Sequence, residues 1–208
     1  MRIEAILPPA RQGARTQLVF EGGGTLRVIP TVVAELALYP GMELDEAALA
    51  RLHSAAGRAS ARARALRIVS VANVSVQELT QRLVQKGEKP EDAEAAVRWL
   101  AELRLLDDAL TAKQIVQSGV RRGYGEARIR QQLYSKRIPR ECWEEALALI
   151  PDMSGEIDSF LQKKLAGDAA DPKKRQQAAA ALARRGYDWE QIREGLARYG
   201  AEPDEIEE

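Results

Sequence analysis

At 208 residues, 45% apolar and 30% charged, the chain has the composition of a globular protein. Its 31 basic and 31 acidic residues cancel, so any attraction for an anionic partner must come from local asymmetry rather than net charge. One cysteine, Cys142, excludes an intrachain disulfide and a Cys-rich zinc site. No apolar run reaches the ~18 residues of a membrane span, and the N-terminus is too short and polar for a signal peptide. A cytoplasmic protein with no membrane contact is expected.

The first thirty residues favour strands. Residues 16–20 and 25–29 are β-prone runs separated by Glu21 and the glycines Gly22, Gly23 and Gly24, which permit positive φ and predict a hairpin. Ile3, Ala5 and Leu7 alternate as a third strand would. Val32, Val33, Leu36 and Ala37 fit a short helix ended by Pro40-Gly41. Leu44, Ala48, Leu49 and Leu52 make a second short stripe behind the acids Glu43, Asp45 and Glu46.

From about Arg58 onward the chain is helical and repeats itself. Aligning 79–97 with 129–147 and 178–196 brings Leu83, Leu133 and Leu182 together, at spacings of 50 and 49 residues. Lys86, Lys136 and Arg185 follow three places later, and then Ala93, Trp143 and Ile192 coincide. Ala96, Ala146 and Gly195 coincide next, and Val97, Leu147 and Leu196 after them. A fixed period of this kind means an array of similar units. A further helix precedes each pair, over 60–71, 107–122 and 154–166, so each unit holds three helices of about 10 to 15 residues. Ser75 with Glu78 and Asp188 with Gln191 have capping-box form, and Asp171-Pro172 sets an N-cap before a proline. Gly87 and Gly186 stand where a helix C-terminus uses positive φ; the middle unit has Arg137 there. The fold expected is mainly α: three tandem three-helix repeats in an elongated curved array, with a small N-terminal β-hairpin extension. The boundaries fall at 1–57 for the extension and 58–106, 107–151 and 152–208 for the repeats, the last with an acidic tail. The segment 166–171 is expected to bend most easily, and Gly123-Tyr124-Gly125 reads as a hinge between two helices of one unit.

No catalytic pattern is present. His53 is the only histidine, and its neighbourhood lacks a second ligand at a useful spacing. Gly22-Gly23-Gly24 precedes a strand rather than a helix, so it cannot cradle phosphate as a P-loop does. Paired acids such as Asp107-Asp108 and Glu91-Asp92 fit helix starts, and Trp99, Trp143 and Trp189 fit packing positions. No catalytic residue, metal or cofactor is expected.

Charge is more informative. Between residues 121 and 140 seven bases (Arg121, Arg122, Arg128, Arg130, Lys136, Arg137, Arg140) face one acid, Glu126. Residues 88–108 reverse the balance, with seven acids against Lys89, Arg98 and Arg104. On a helical wheel Ile129 and Leu133 share a buried side, and Arg130, Arg137 and Tyr134 form a basic strip with an aromatic flank. Such a strip suits a DNA phosphate or an acidic protein surface equally.

These residues also carry a family resemblance. Leu106-Asp107-Asp108-x-x-x-Ala112, continuing through Ser118-x-x-Arg121-x-Gly123-x-Gly125-x-x-x-Ile129-x-x-x-Leu133, resembles the signature of the RecX family of recombination regulators. Leu83-x-x-Lys86-Gly87, Ala93, Val97, Leu100 and Leu103 resemble its first repeat. The likeness covers about 62–199 and is strongest over 78–137. It departs from the family at Lys136-Arg137, where a Lys-Gly is usual, and at Leu110, Ile115 and Val116, where aromatic residues are common. The resemblance implies a monomeric, non-enzymatic modulator that lies along the RecA–single-stranded DNA filament and impedes strand exchange and ATPase. Its partners would be the RecA nucleoprotein filament and single-stranded or duplex DNA. The contact residues expected are Arg121, Arg122, Arg128, Arg130, Arg137, Lys173, Lys174, Arg184 and Arg185. A free-standing helical nucleic-acid-binding module and a purely structural helical scaffold are the alternatives.

Overall fold

The computed structural model describes residues 1–11, 13–165 and 171–200, and it is mainly helical with a small N-terminal sheet. The acidic tail and most of the segment expected to bend lie outside the described residues. The chain divides into two compact units, Met1–Leu106 and Asp107–Glu208.

The first unit begins with β1 (Ile3–Leu7), β2 (Thr16–Phe20) and β3 (Thr25–Val28), an antiparallel sheet in that order. Gly22 and Gly23 take φ of +92° and +88° in the β2–β3 turn, as the glycine run predicts. Simple alternation in β1 does not hold. The register shifts between Ile3 and Ala5, so Ile3 is buried, Ile6 packs against the core and Leu7 is exposed. A bulge inserts one residue and so swaps the faces of every residue after it. The Pro40-Gly41-Met42 segment completes the sheet's first edge through Ile3 N–H to Met42 O (2.9 Å) and Gly41 N–H to Ile3 O (2.7 Å).

The short helix α1 (Pro30–Glu35) leads into α2 (Glu46–Val69), a continuous helix of 24 residues. Two separate helices were expected here, and the expected boundary at 57–58 falls inside α2. The apolar pattern changes face along this helix. Leu52 and Ala55 join the core under the sheet, while Ala61 and Ala65 join the core of the first repeat. One rod serving two cores shows a broken stripe, which mimics a helix end in sequence. Asp45 caps α2 by accepting from Ala48 N–H at 2.7 Å.

α3 (Val76–Gln85) and α4 (Pro90–Glu102) complete the first repeat. α4 lies close against α2 because Gly57 lets the buried Asp92 approach: a Cβ at 57 would stand 2.3 Å from Asp92 Oδ2. Burial, and after it the charge of Glu91, raise the Asp92 carboxyl above its ordinary 3.8. The folded chain therefore holds this proton more tightly than the unfolded chain does. Stability falls as pH rises through the interval that opens just above that value. Asp92→Asn is expected to flatten this acid-side slope and to raise stability at neutral pH. Urea titrations across the pH range read both effects, and a profile parallel to that of the parent would contradict the burial cost.

The second unit holds α5 (Asp108–Arg121), α6 (Glu126–Ser135), a single 3-10 turn (Arg140–Cys142) and α7 (Trp143–Leu147), followed by α8 (Ser154–Leu165), α9 (Pro172–Arg184) and α10 (Trp189–Arg198). α7 is shorter than the helix of 10 to 15 residues expected there, because Pro139 and a 3-10 turn use up its first residues. The aligned positions of the repeat share burial. Leu83, Leu133 and Leu182 are wholly buried, and the sets Ala93/Trp143/Ile192 and Val97/Leu147/Leu196 are buried with them. Ser75 caps α3, and Asp107 and Asp171 cap α5 and α9. Asp188 forms a full capping box with Gln191.

The middle helix of every repeat ends in the same double turn. Gly87, Arg137 and Gly186 have φ of +88°, +54° and +90°. The N–H groups of the next residues, Glu88, Ile138 and Tyr187, return to Leu83, Leu133 and Leu182. A left-handed conformation costs a non-glycine residue about 1 kcal/mol, so Arg137→Gly is expected to stabilise the protein by up to that amount in chemical denaturation. A destabilised variant would mean that the Arg137 side chain contributes more than its backbone costs.

Candidate interaction surface

Two features of the second unit set where its bases stand. The first is a backbone contact between the second and third repeats. Gly125 N–H donates to Arg185 O (2.9 Å), and Ala127 N–H donates to Gly186 O (3.1 Å). The main chains meet so closely that a Cβ on Gly125 would lie 2.3 Å from Gly186 O, and one on Gly186 would lie 2.3 Å from Arg128 N. The Tyr187 hydroxyl donates to Gly123 O at 3.2 Å, and burial pushes its pKa up, which keeps it a donor. The Gly-Tyr-Gly segment is therefore a docking point rather than the hinge that its glycines suggest. Two glycines remove the side chains that would hold the repeats apart, and the hydrogen bonds fix what the glycines would otherwise leave loose.

The second feature is what each base does at this junction. Arg128 Nη1 donates to Arg184 O (3.0 Å), and its guanidinium stacks on Tyr124, 4.3 Å from the ring centroid. Arg185 stacks on Phe160 at 4.7 Å, and both arginines are half-buried. Arg128 thus bridges the two repeats, while Arg185 and Phe160, 25 residues apart and with no local signal in the sequence, stack within the third repeat. Arg121 and Arg122 end α5 just before Gly123, Arg184 ends α9 just before Arg185, and all three are exposed. The junction thus brings the segment carrying Arg121, Arg122 and Arg128 against the segment carrying Arg184 and Arg185, more than 60 residues from Arg121 in sequence, with Glu156 beside Gly123.

Arg130 and Arg137 lie on and just beyond α6, and Lys173 and Lys174 open α9. Arg130 and Arg137 are exposed on α6 and at its C-terminal end, with Tyr134 between them 70% exposed. Arg130 Nε pairs with Glu126 at 2.6 Å, with both side chains about half exposed. Such a pair is worth little in water, so an anionic partner can replace the glutamate cheaply. Lys173 and Lys174 lie in the first turn of α9, behind Asp171, which accepts from both backbone N–H groups. Cations there oppose the helix dipole by about 0.3–1 kcal/mol each. Arg121 lies in the last turn of α5 and Arg122 caps it, where the dipole does favour a cation.

Among the described residues no group of three or more His, Cys, Asp or Glu could hold a metal ion. His53 is exposed. Cys142 is half-buried, and burial followed by the charge of Asp108 raises its thiol pKa, which disfavours the reactive thiolate. No described helix is long and apolar enough to cross a membrane.

Comparison with known proteins settles the family. Residues 107–147 match the model of the second three-helix domain of RecX, and residues 157–196 match the model of its third. The chain is 35% identical over 140 residues to the regulatory protein RecX of Vibrio parahaemolyticus, covering 66% of this chain and 90% of that protein. The chain belongs to the RecX family. It is also 34% identical over 134 residues to RecX of Chromohalobacter salexigens, covering 64% and 88% of the two chains. A crystal structure of regulatory protein RecX superimposes with a TM-score of 0.69 at 22% identity, over 95% of this chain and 98% of that one. RecX from Lactobacillus salivarius superimposes at 0.63 and 18% identity, over 69% of this chain and 97% of its own. The docked glycines, Gly125 and Gly186, both fall inside the matched RecX domains, as do Arg121, Arg122, Arg128, Arg130 and Arg137.

Proposed function

We propose that this RecX-family chain binds the RecA–single-stranded DNA filament and inhibits the recombinase and its ATPase, by blocking filament extension or promoting disassembly. The observation that carries the reading is a backbone junction between two repeats whose meeting segments hold five arginines, in a chain whose relatives are named regulatory proteins. The exposed members, Arg121, Arg122 and Arg184, offer guanidinium donors to phosphate or carboxylate. Arg128 ties the two segments together through the Arg184 carbonyl, and Arg185 accepts from Gly125 through its own carbonyl. Arg130, Tyr134 and Arg137 add a strip on which a base can stack beside a neutralised phosphate, and Lys173 and Lys174 extend the positive field. No catalytic group is needed, since occupying the filament is enough. The interaction fits a monomer acting in the cytoplasm, where RecA filaments form.

The test is RecA ATPase on single-stranded DNA with increasing amounts of the protein. The expected result is a saturable fall in rate, deeper when the protein is added before the filament has grown. An unchanged rate, alongside tight and steeply salt-dependent binding to naked DNA, would favour the free-standing nucleic-acid-binding module. No effect in either assay would leave the structural scaffold.

A further inference from the structure

A pocket of about 440 Å³ lies within the unit Met1–Leu106, walled by Arg15 on the loop before β2, Ile29 and Pro30 at the head of α1, and Ser60, Arg64 and Arg67 of α2. None of these residues belongs to the surface described above. Beneath them is a short relay. Arg15 Nη2 donates to Ser60 Oγ (2.7 Å), Ser60 Oγ donates to Glu88 Oε1 (3.0 Å), and Arg64 Nε donates to the same oxygen at 2.6 Å.

Glu88 occupies the place that Ile138 and Tyr187 take in the other two repeats, just after the left-handed residue that ends the middle helix. Those two are buried apolar or aromatic side chains; Glu88 is a buried acid. A buried carboxylate is costly without partners, and here its partners are the groups that face the pocket. Holding Arg64 through Nε leaves the two Nη groups as a fork, the geometry that meets two oxygens of one phosphate. Arg67 stands one turn further along α2 and makes no ion pair among the described residues. Three guanidiniums line the pocket beside one carboxylate, a formal surplus of two positive charges, with Arg15 and Arg67 open to solvent. An anion entering the pocket relieves their mutual repulsion, which water only partly screens.

We propose that this pocket binds a phosphate monoester carrying a group of nucleoside size. A phosphate monoester brings a charge of roughly −1.5 to −2 at neutral pH, which matches the surplus. The volume falls in the range of about 300–1,000 Å³ typical of small-molecule sites, more than bare phosphate requires. Ile29 and Pro30 give the organic part an apolar wall. A free mononucleotide and the 5′-terminal phosphate of a DNA strand share this chemistry.

Titration calorimetry on the full chain distinguishes the two sources, with deoxyadenosine monophosphate, deoxyadenosine, and a short thymidine oligonucleotide with and without its 5′-phosphate. The monophosphate is expected to bind and to be displaced by inorganic phosphate, while the nucleoside does not bind. Arg67→Ala and Arg15→Ala should each weaken binding about tenfold or more. Arg67→Lys should fall between Arg67→Ala and the parent, since it keeps the charge and loses the fork. Arg67 lies outside the buried relay, so its variants should keep the parent's thermal midpoint and read the site rather than the fold. Stronger binding of the phosphorylated oligonucleotide than of its unphosphorylated form, lost with Arg67→Ala, would assign the site to strand ends. Binding of the mononucleotide alone would assign it to free nucleotide. No heat with the monophosphate at millimolar concentration, or equal affinity in the parent and both alanine variants, overturns the proposal.

Discussion

Gly125→Ala is expected to destabilise the unit Asp107–Glu208 by about 2–3 kcal/mol, although the residue is exposed to no obvious backbone constraint. Its φ of −73° suits alanine, so the cost comes from the added methyl, which would stand 2.3 Å from Gly186 O. Forcing a methyl into a packed contact costs about 1–3 kcal/mol, and the repulsion would also break the Gly125–Arg185 and Ala127–Gly186 hydrogen bonds. Two comparison variants separate space from backbone strain. Gly87→Ala meets nothing within 4 Å but has a φ of +88°, so it should cost only about 1 kcal/mol. Gly186→Ala combines a φ of +90° with a 2.3 Å approach to Arg128 N and should cost more than either. Urea unfolding followed at Trp143 and Trp189, which report the second and third repeats, should show one shared transition in the parent and two separated transitions in Gly186→Ala. A Gly125→Ala cost under about 0.5 kcal/mol would mean that the two repeats are not locked through this backbone contact.

Charge reversal at Arg121 and Arg122 is expected to abolish most of the proposed inhibition while leaving the fold in place. Both side chains are exposed, and two acids at the end of α5 oppose the dipole by about 0.3–1 kcal/mol each, a loss that the unit tolerates. At the proposed interface the same change would remove two charge-assisted contacts and add two repulsions. Each contact is worth roughly 1.5–3 kcal/mol, so the concentration needed for half-inhibition of RecA ATPase should rise about a hundredfold or more. Arg51→Glu, an exposed reversal on α2, serves as the control and should leave inhibition unchanged. An Arg121→Glu/Arg122→Glu protein that melts like the parent and inhibits equally well would remove the junction from the proposed contact surface. Arg128→Ala is a different case. It frees the stack on Tyr124 and the bond to Arg184 O, so it should lower stability as well as inhibition.

The repeat itself was legible because burial leaves a period. Leu83, Leu133 and Leu182 recur at spacings of 50 and 49, and all three are wholly buried. The caps were legible for a similar reason: Ser75, Asp171 and Asp188 act on N–H groups two or three residues away, within the reach of a local motif. Arg137 could be placed in a left-handed turn by alignment with Gly87 and Gly186, although its own residue type argues against one. The continuity of α2 was not legible. Its stripe turns from one core to the other near Gly57, and a change of apolar face looks the same in sequence as a helix end.

The basic residues divide along the same line. Sequence alone determined that the second repeat carries a concentrated positive charge, because composition within a window needs no fold to count it. It also determined the array of helical units and the strand-forming start, since both rest on periodicities of a few residues. Only the tertiary structure decided that Arg128 holds two repeats together through the Arg184 carbonyl, that Arg185 stacks inside the third repeat, and that Arg121, Arg122 and Arg184 stay exposed. It alone turned Gly123-Tyr124-Gly125 from a flexible break into a docking point and brought Arg15, Arg64 and Arg67 around one pocket. The reason is range. A hydrogen bond from Gly125 to Arg185 joins residues 60 positions apart, and nothing in the chemistry of a glycine states which distant backbone it has been left bare to meet.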